Sequence, residues 1–96
     1  MKTPAECLTE TADLIAARGD THGDWRMNMG NTAALLSAYL QVEIAAHQVP
    51  IIMSLVKISR MSCGPRNIDD YDDLIGYAAL AAALARGGAS RSPPDD

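Results

Sequence analysis

The sequence predicts an all-α fold, a compact four-helix bundle that assembles into oligomers. Its apolar residues are mainly alanine, leucine, isoleucine and methionine, with no phenylalanine and one tryptophan, and this composition favours helices. Residues that typically begin and end helices recur along the chain. No segment shows the alternation of apolar and polar residues that marks a half-buried strand.

The first two helices are predicted from their capping signals. The segment Thr3-Pro4-Ala5-Glu6 is a capping box with proline at the first helical position, so a helix is expected from Pro4 to Arg18, closed by Gly19. A polar, glycine-containing loop follows. Asp24 is a suitable cap for a second helix that runs from Trp25 to Leu40.

The third helix should begin near Ala46, because proline is tolerated only early in a helix and Pro50 must lie in or just after the first turn. It should end before Gly64. Asn67 or Asp69 would then cap a fourth helix.

The fourth helix is expected to end at Arg86, before a pair of glycines. Residues 1–86 are therefore predicted to form one helical domain. Residues 87–96 contain no apolar residue larger than alanine, and such segments are typically disordered.

Charge and composition limit the possible partners. The 96-residue chain has a formal charge of -4, which argues against binding long nucleic acid through its backbone. Its longest apolar run is interrupted by charge well before it could span a membrane. Cys7 and Cys63 lack metal-ligand spacing, so we expect reduced thiols in a cytoplasmic protein without membrane contact.

Helices three and four are apolar around most of their circumference, which one small chain cannot cover. The fourth helix is also rich in residues that allow another backbone to approach closely: Gly76, Ala78, Ala79, Ala81, Ala82 and Ala83. These features predict a homo-oligomer whose interface uses the fourth helix.

Two cations interrupt the apolar third helix. Lys57 and Arg60 share one stripe of it, and in an antiparallel hairpin they would face a side of the fourth helix that carries Asp69, Asp73, Gly76 and Tyr77, with Asp70 at its edge. One interpretation is a buried ion-pair network. The other is a ligand pocket, in which Lys57, Arg60 and Arg66 hold phosphate oxygens.

A second polar group of residues follows the first helix: His22, Trp25, Arg26 and Asn28. Trp25 could stack on a purine, as could Tyr77 of the fourth helix. The alternative interpretation is that Trp25 anchors the core and His22 is solvated.

Magnesium binding is an alternative use of the carboxylates. Glu10 and Asp13 lie one turn apart on the first helix, and Asp70 and Asp73 are spaced in the same way on the fourth. Paired carboxylates at this spacing can share a magnesium ion. An acidic stripe on a first helix is, however, usually a solvated face.

Three segments, HGDWRMN, LVKISR and GPRNIDDYDDLIGYAALAA, resemble a family of short, all-helical phage and prophage proteins of unassigned function. The resemblance covers roughly residues 6 to 85. It extends distantly to phage nucleotide-modification-associated domains and to MazG-type nucleoside triphosphate pyrophosphohydrolases, which implies a helical oligomer with magnesium. Lys57 and Arg60 stand where a pyrophosphohydrolase would have glutamates.

The sequence leads to the hypothesis of a protein that sequesters a small phosphorylated nucleotide. By analogy of size and phage setting, that nucleotide could be a host immune signal, such as a cyclic ADP-ribose derivative or a cyclic dinucleotide. We expect a binding site without catalytic residues or a resident metal, formed by Lys57, Arg60, Arg66, Asp70, Asp73, Tyr77, His22, Trp25, Arg26 and Asn28. A magnesium-dependent nucleotide pyrophosphohydrolase is the first alternative, and a structural or protein-interaction module is the second.

Overall fold

The computed structural model describes residues 1–22 and 24–88, except the side chains of residues 20–22 and 88. It contains four helices, α1 (Pro4–His22), α2 (Trp25–Leu40), α3 (Gln48–Cys63) and α4 (Ile68–Gly88). The described residues form no β-strand. The predicted all-α fold with four helices is therefore confirmed.

The start of α1 follows the predicted capping box. The Thr3 hydroxyl oxygen accepts a hydrogen bond from the Glu6 N–H at 3.1 Å, and the Glu6 carboxylate accepts one from the Thr3 N–H at 2.8 Å. The predicted end of this helix at Arg18 was wrong. Gly19 does not adopt a left-handed conformation, and the helix continues through it to His22, because a single glycine weakens a helix without having to end it.

The bounds of α2 agree with the prediction. Asp24 accepts a hydrogen bond from the Arg26 N–H at 2.9 Å and thereby caps the helix. At the other end Gln41 adopts a left-handed conformation with φ 60°, and its N–H donates to the Ser37 carbonyl at 2.9 Å. A residue other than glycine therefore provides the left-handed closure of this helix.

The third and fourth helices differ slightly from their predicted bounds. Helix α3 begins at Gln48, two residues after Ala46, so Pro50 lies in its first turn as expected. Asn67 provides the cap of α4, since its side-chain oxygen accepts a hydrogen bond from the Asp69 N–H at 3.0 Å. Helix α4 extends to Gly88, two residues beyond Arg86. The predicted disordered tail lies outside the described residues from residue 89 onward.

The four helices pack in a chain of neighbours. Helices α3 and α4 form the main packing surface, α1 packs on α4, and α2 packs on α3. The buried core is small: Met29, Ala33 and Val49 form its main cluster, and Ala81 of α4 is also buried. Partly buried apolar residues surround it: Trp25, Leu36, Ile44, Met53 and Leu84.

A large part of the apolar surface stays exposed in the single chain. Ile51, Leu55 and Ile58 recur at helical spacing along α3, and each is about half exposed. On α4 the exposed apolar residues include the small Ala78, Ala79 and Ala82. None of the described helices combines the length and the apolar character needed to cross a membrane.

Candidate functional site

The charged residues of α3 and α4 meet across the hairpin, as the sequence predicts. Lys57 Nζ lies 2.8 Å from Asp73 Oδ2 and 3.9 Å from Asp70 Oδ1, and Arg60 Nε lies 3.7 Å from the same Asp70 oxygen. Lys57 pairs with Asp73, whereas Arg60, one turn later in α3, lies beside Asp70, one turn earlier in α4. This order of contacts is expected for two antiparallel helices. We call these four residues the ion-pair cluster.

Lys57 is charged and firmly engaged in this cluster. Its side chain is only 15% exposed. The hydrogen bond to Asp73 raises the pKa of the Lys57 ammonium above its ordinary value, against the opposing effect of partial burial. Lys57 therefore holds Asp73 in place at neutral pH.

Asp70 is the most buried acid of the cluster, with 4% of its side chain exposed. Its Oδ1 has no hydrogen-bond partner, because both cations lie beyond hydrogen-bonding distance of it. The sequence placed Asp70 at the edge of the charged face and Asp69 within it. This was wrong, since Asp70 is buried and Asp69 is exposed.

The cluster has the features of an internal ion-pair network, which was one of the two interpretations. Lys57 is enclosed, but Arg60 is not, since 56% of its side chain is exposed. The interpretation as a buried ion-pair network therefore holds for Lys57 and is wrong for Arg60. Because a guanidinium carries five N–H donors, this exposed group can contact a second anion as well as Asp70.

A hollow of about 550 Å³ lies between the helices next to this cluster. All four helices contribute to it, and we refer to it as the hollow. Much of its wall is apolar and is formed by Leu14, Ile15, Met53, Gly76 and Leu80. Its size falls within the range of small-molecule sites, about 300–1,000 Å³.

Four residues that the sequence selected as ligand-binding candidates line the hollow. They are Trp25 and Asn28 of α2 and Asp73 and Tyr77 of α4. The fold thus brings together two segments that are about fifty residues apart in the chain. Trp25 also packs against the buried core, which agrees with the core-anchor interpretation. Its contact with a ligand stays a prediction.

Sequence reasoning missed two charged residues that line the hollow, Arg18 and Asp72. The wall formed by α1 includes Thr11, Ile15 and Arg18. These residues follow one another at intervals of four and three, so they lie on one stripe of the helix. That stripe was visible in the sequence. The magnesium interpretation instead selected Glu10 and Asp13, which lie on an exposed face of the same helix.

A second, more open recess lies at the turn between α3 and α4, and we call it the basin. Arg60, Arg66, Asn67 and Asp70 line it. The cluster separates the two recesses, because Asp73 lines the hollow, Asp70 lines the basin and Lys57 lies within 4 Å of both acids. The predicted ligand residues are therefore divided between two adjacent recesses.

Arg26 lines neither recess. Arg26 is exposed, and its guanidinium carbon lies 4.5 Å from the centre of the Trp25 ring, in a cation–π contact. The side chain of His22 lies outside the described residues.

The structure does not bring the proposed magnesium ligands together. Glu10 and Asp13 are exposed, and Glu10 pairs with Lys2. Asp70 and Asp73 are engaged by Lys57. Within residues 1–22 and 24–88, no group of three or more histidine, cysteine, aspartate or glutamate side chains is arranged to hold a metal ion.

Comparison with known proteins shows the family. The profile of DUF6378, described as a domain of unknown function, matches residues 6–85. Gene 55 protein of Mycobacterium phage D29 is 33% identical over 78 residues, which are 80% of this chain and 52% of that protein. The chain thus spans about half the length of this curated relative. No solved structure matches.

This chain belongs to the DUF6378 family. The expected resemblance to a phage-type family of unassigned function is confirmed at that level. The more distant resemblance to nucleotide-modification domains and MazG-type enzymes stays a prediction.

Proposed function

We propose that this DUF6378 protein binds a small phosphorylated nucleotide and holds it without chemical change. The observation that supports this proposal is the convergence of Trp25, Asn28, Asp73 and Tyr77 on one hollow of about 550 Å³. An apolar cavity with two aromatic side chains and a few polar groups suits a flat, polar-edged ligand such as a nucleobase.

The proposed ligand occupies both recesses. Its base stacks on Trp25 or Tyr77 in the hollow, and its ribose hydroxyls donate to Asp73, which Lys57 holds at 2.8 Å. Its phosphate lies over the basin, where Arg60 and Arg66 supply guanidinium donors. Lys57, between the recesses, adds positive charge to the phosphate side.

Sequestration is the role we propose for such a complex. In a phage setting the ligand would be a host signalling nucleotide, such as a cyclic ADP-ribose derivative or a cyclic dinucleotide. A protein that only sequesters its ligand needs no nucleophile and no activating base. It needs a high affinity and a concentration that matches that of the signal.

The test is a thermal-shift screen against a nucleotide panel, because a ligand that binds only the folded state raises the melting temperature. Trp25→Ala should remove the shift. Tyr39→Ala is the matched control, since Tyr39 is 83% exposed and lines neither recess. If no nucleotide raises the melting temperature of the wild-type protein, the proposal is wrong.

The same preparation separates binding from hydrolysis. The protein is incubated with the bound nucleotide and magnesium and then denatured by heat. Recovery of the intact nucleotide supports sequestration, whereas product formation supports the magnesium-dependent pyrophosphohydrolase.

One observation favours the interaction-module alternative. The exposed apolar residues Ile51, Leu55 and Ile58 of α3 could be covered by another protein or by a second copy of the chain. We propose self-association, with the exposed small residues Ala78, Ala79, Ala82 and Ala83 of α4 as its predicted interface. The expectation that Ala81 belongs to this interface was wrong, because Ala81 is buried within the single chain.

A further inference from the structure

Two neighbouring acids of α4, Asp72 and Asp73, line the hollow and differ in their ion pairing. Asp73 is engaged by Lys57 at 2.8 Å. The ion pairs among the described residues do not include Asp72, which is half-buried in the wall of the hollow. A ligand in the hollow therefore meets one carboxylate that is engaged by Lys57 and a second, Asp72, that is outside these ion pairs. Arg18 lines the same hollow, and Lys2 attracts Asp72 from beyond ion-pair distance.

We propose that Asp72 selects a guanine base, an inference that rests on the proposed nucleotide binding. An ionised carboxylate only accepts hydrogen bonds, so a base beside Asp72 must present N–H groups to it. Guanine presents two in a row, from its ring N1–H and its 2-amino group. Two parallel N–H groups match the two oxygens of one carboxylate, and such bidentate pairs are both strong and selective.

The other common bases fit this wall less well. Adenine has one amino group next to a ring nitrogen that only accepts, and uracil has one N–H between two carbonyl oxygens. Each would place an acceptor against the carboxylate, which leaves one carboxylate oxygen facing the base without a donor. Hypoxanthine differs from guanine only in lacking the 2-amino group, so it isolates one of the two bonds.

The rest of the hollow complements the other edge of guanine. Asn28 lines the hollow with a side-chain amide whose N–H₂ can donate to the guanine O6. Trp25 and Tyr77 supply the aromatic surfaces for its ring faces. The polar groups therefore include an acceptor for the N–H edge and a donor for the carbonyl.

The test is isothermal titration of the full chain with GMP, IMP, AMP and UMP. We expect GMP to bind most tightly, and IMP to bind about 10- to 100-fold more weakly, as the loss of one charge-assisted hydrogen bond implies. AMP and UMP should be at least as weak as IMP. This comparison uses only the wild-type protein, so it does not depend on a variant that folds.

Asp72→Asn tests the assignment to this side chain. Asparagine offers one donor and one acceptor, so GMP should lose at least about tenfold in affinity. XMP, which has a carbonyl in place of the 2-amino group, should gain. Asp69→Asn is the matched control, because Asp69 is exposed on the same helix and lines neither recess; its titrations should equal those of the wild type.

The outcomes distinguish the two proposals. Equal affinities for GMP, IMP and AMP would overturn guanine selection and leave nucleotide binding intact. A preference for GMP that survives Asp72→Asn would overturn the role of Asp72. If no nucleotide binds at all, both proposals are wrong.

Discussion

The ammonium of Lys57 is hydrogen-bonded to the carboxylate of Asp73 at 2.8 Å, with only 15% of the lysine side chain exposed. Lys57 is also within 4 Å of the buried Asp70. One residue of α3 therefore compensates two acids that lie one turn apart on α4. Buried acids without a partner are costly, so the α3–α4 hairpin depends on this lysine.

The first prediction concerns stability. Lys57→Met keeps most of the length of the side chain but removes its charge. It should lower the free energy of unfolding by about 2 kcal/mol, as expected for the loss of a charged hydrogen bond in a partly enclosed site. Urea denaturation measures the change. Lys2→Met, which breaks the exposed pair with Glu10, is the control and should alter stability little. Equal effects of the two variants would contradict a special role for Lys57.

The second prediction concerns pH. Because folding raises the pKa of Lys57 above its ordinary value of 10.5, its contribution to stability is fully present below that value. The contribution is lost as the pH rises through the higher pKa of the folded state. Urea denaturation from pH 7 to above pH 10.5 should therefore show a fall in stability beyond pH 10.5 that is smaller in Lys57→Met. Parallel curves for the two proteins would contradict the assignment.

The third prediction concerns the start of α2. Asp24→Ala removes the side-chain acceptor for the Arg26 N–H and should cost about 1 kcal/mol of stability. Asp24→Ser keeps a capping oxygen and should retain most of it. Because Trp25 lines the hollow from the first turn of this helix, fluorescence of the single tryptophan should report the fraying in Asp24→Ala. An unchanged melting temperature in the alanine variant would show that the cap is dispensable.

The fourth prediction locates the proposed self-association. Size-exclusion chromatography with light scattering of Ala79→Glu and Leu55→Glu compares the predicted α4 interface with the exposed stripe of α3. Both residues are exposed, so neither change disturbs the monomer core. A smaller assembly in Ala79→Glu alone supports the α4 interface, and one in Leu55→Glu alone moves it to α3. A monomeric wild-type protein would overturn self-association.

The helices were predictable because their starts are local in the sequence. Thr3 with Glu6, and Asp24 with the backbone of Arg26, are contacts between residues two or three apart. The end of α1 was not predictable, because Gly19 is compatible with both closure and continuation. The left-handed Gln41 carried no signal either, since glycine is the usual residue at that position.

Part of the candidate site was predictable as well, because the spacing of residues within one helix is also local in the sequence. Helical periodicity placed Lys57 opposite the aspartates, and the hairpin geometry confirmed that they meet. Periodicity alone did not show which acid is buried, because this depends on how α3 and α4 rotate against each other. The stripe of α1 that carries Arg18 was visible in the sequence, but its position at the hollow depends on how α1 docks on α4.

The position of α1 has a consequence for exchange kinetics. This helix packs mainly on α4, buries only Thr11 fully among its described side chains and leaves Leu8 and Leu14 exposed. A helix with so few tertiary contacts should detach without global unfolding, so its amides should exchange with deuterium sooner than those of α3 and α4. Since α1 also forms one wall of the hollow, its detachment gives a small molecule a path inward. A ligand in the hollow that bridges α1 and α4 should therefore slow the amide exchange of α1 more than that of the other helices.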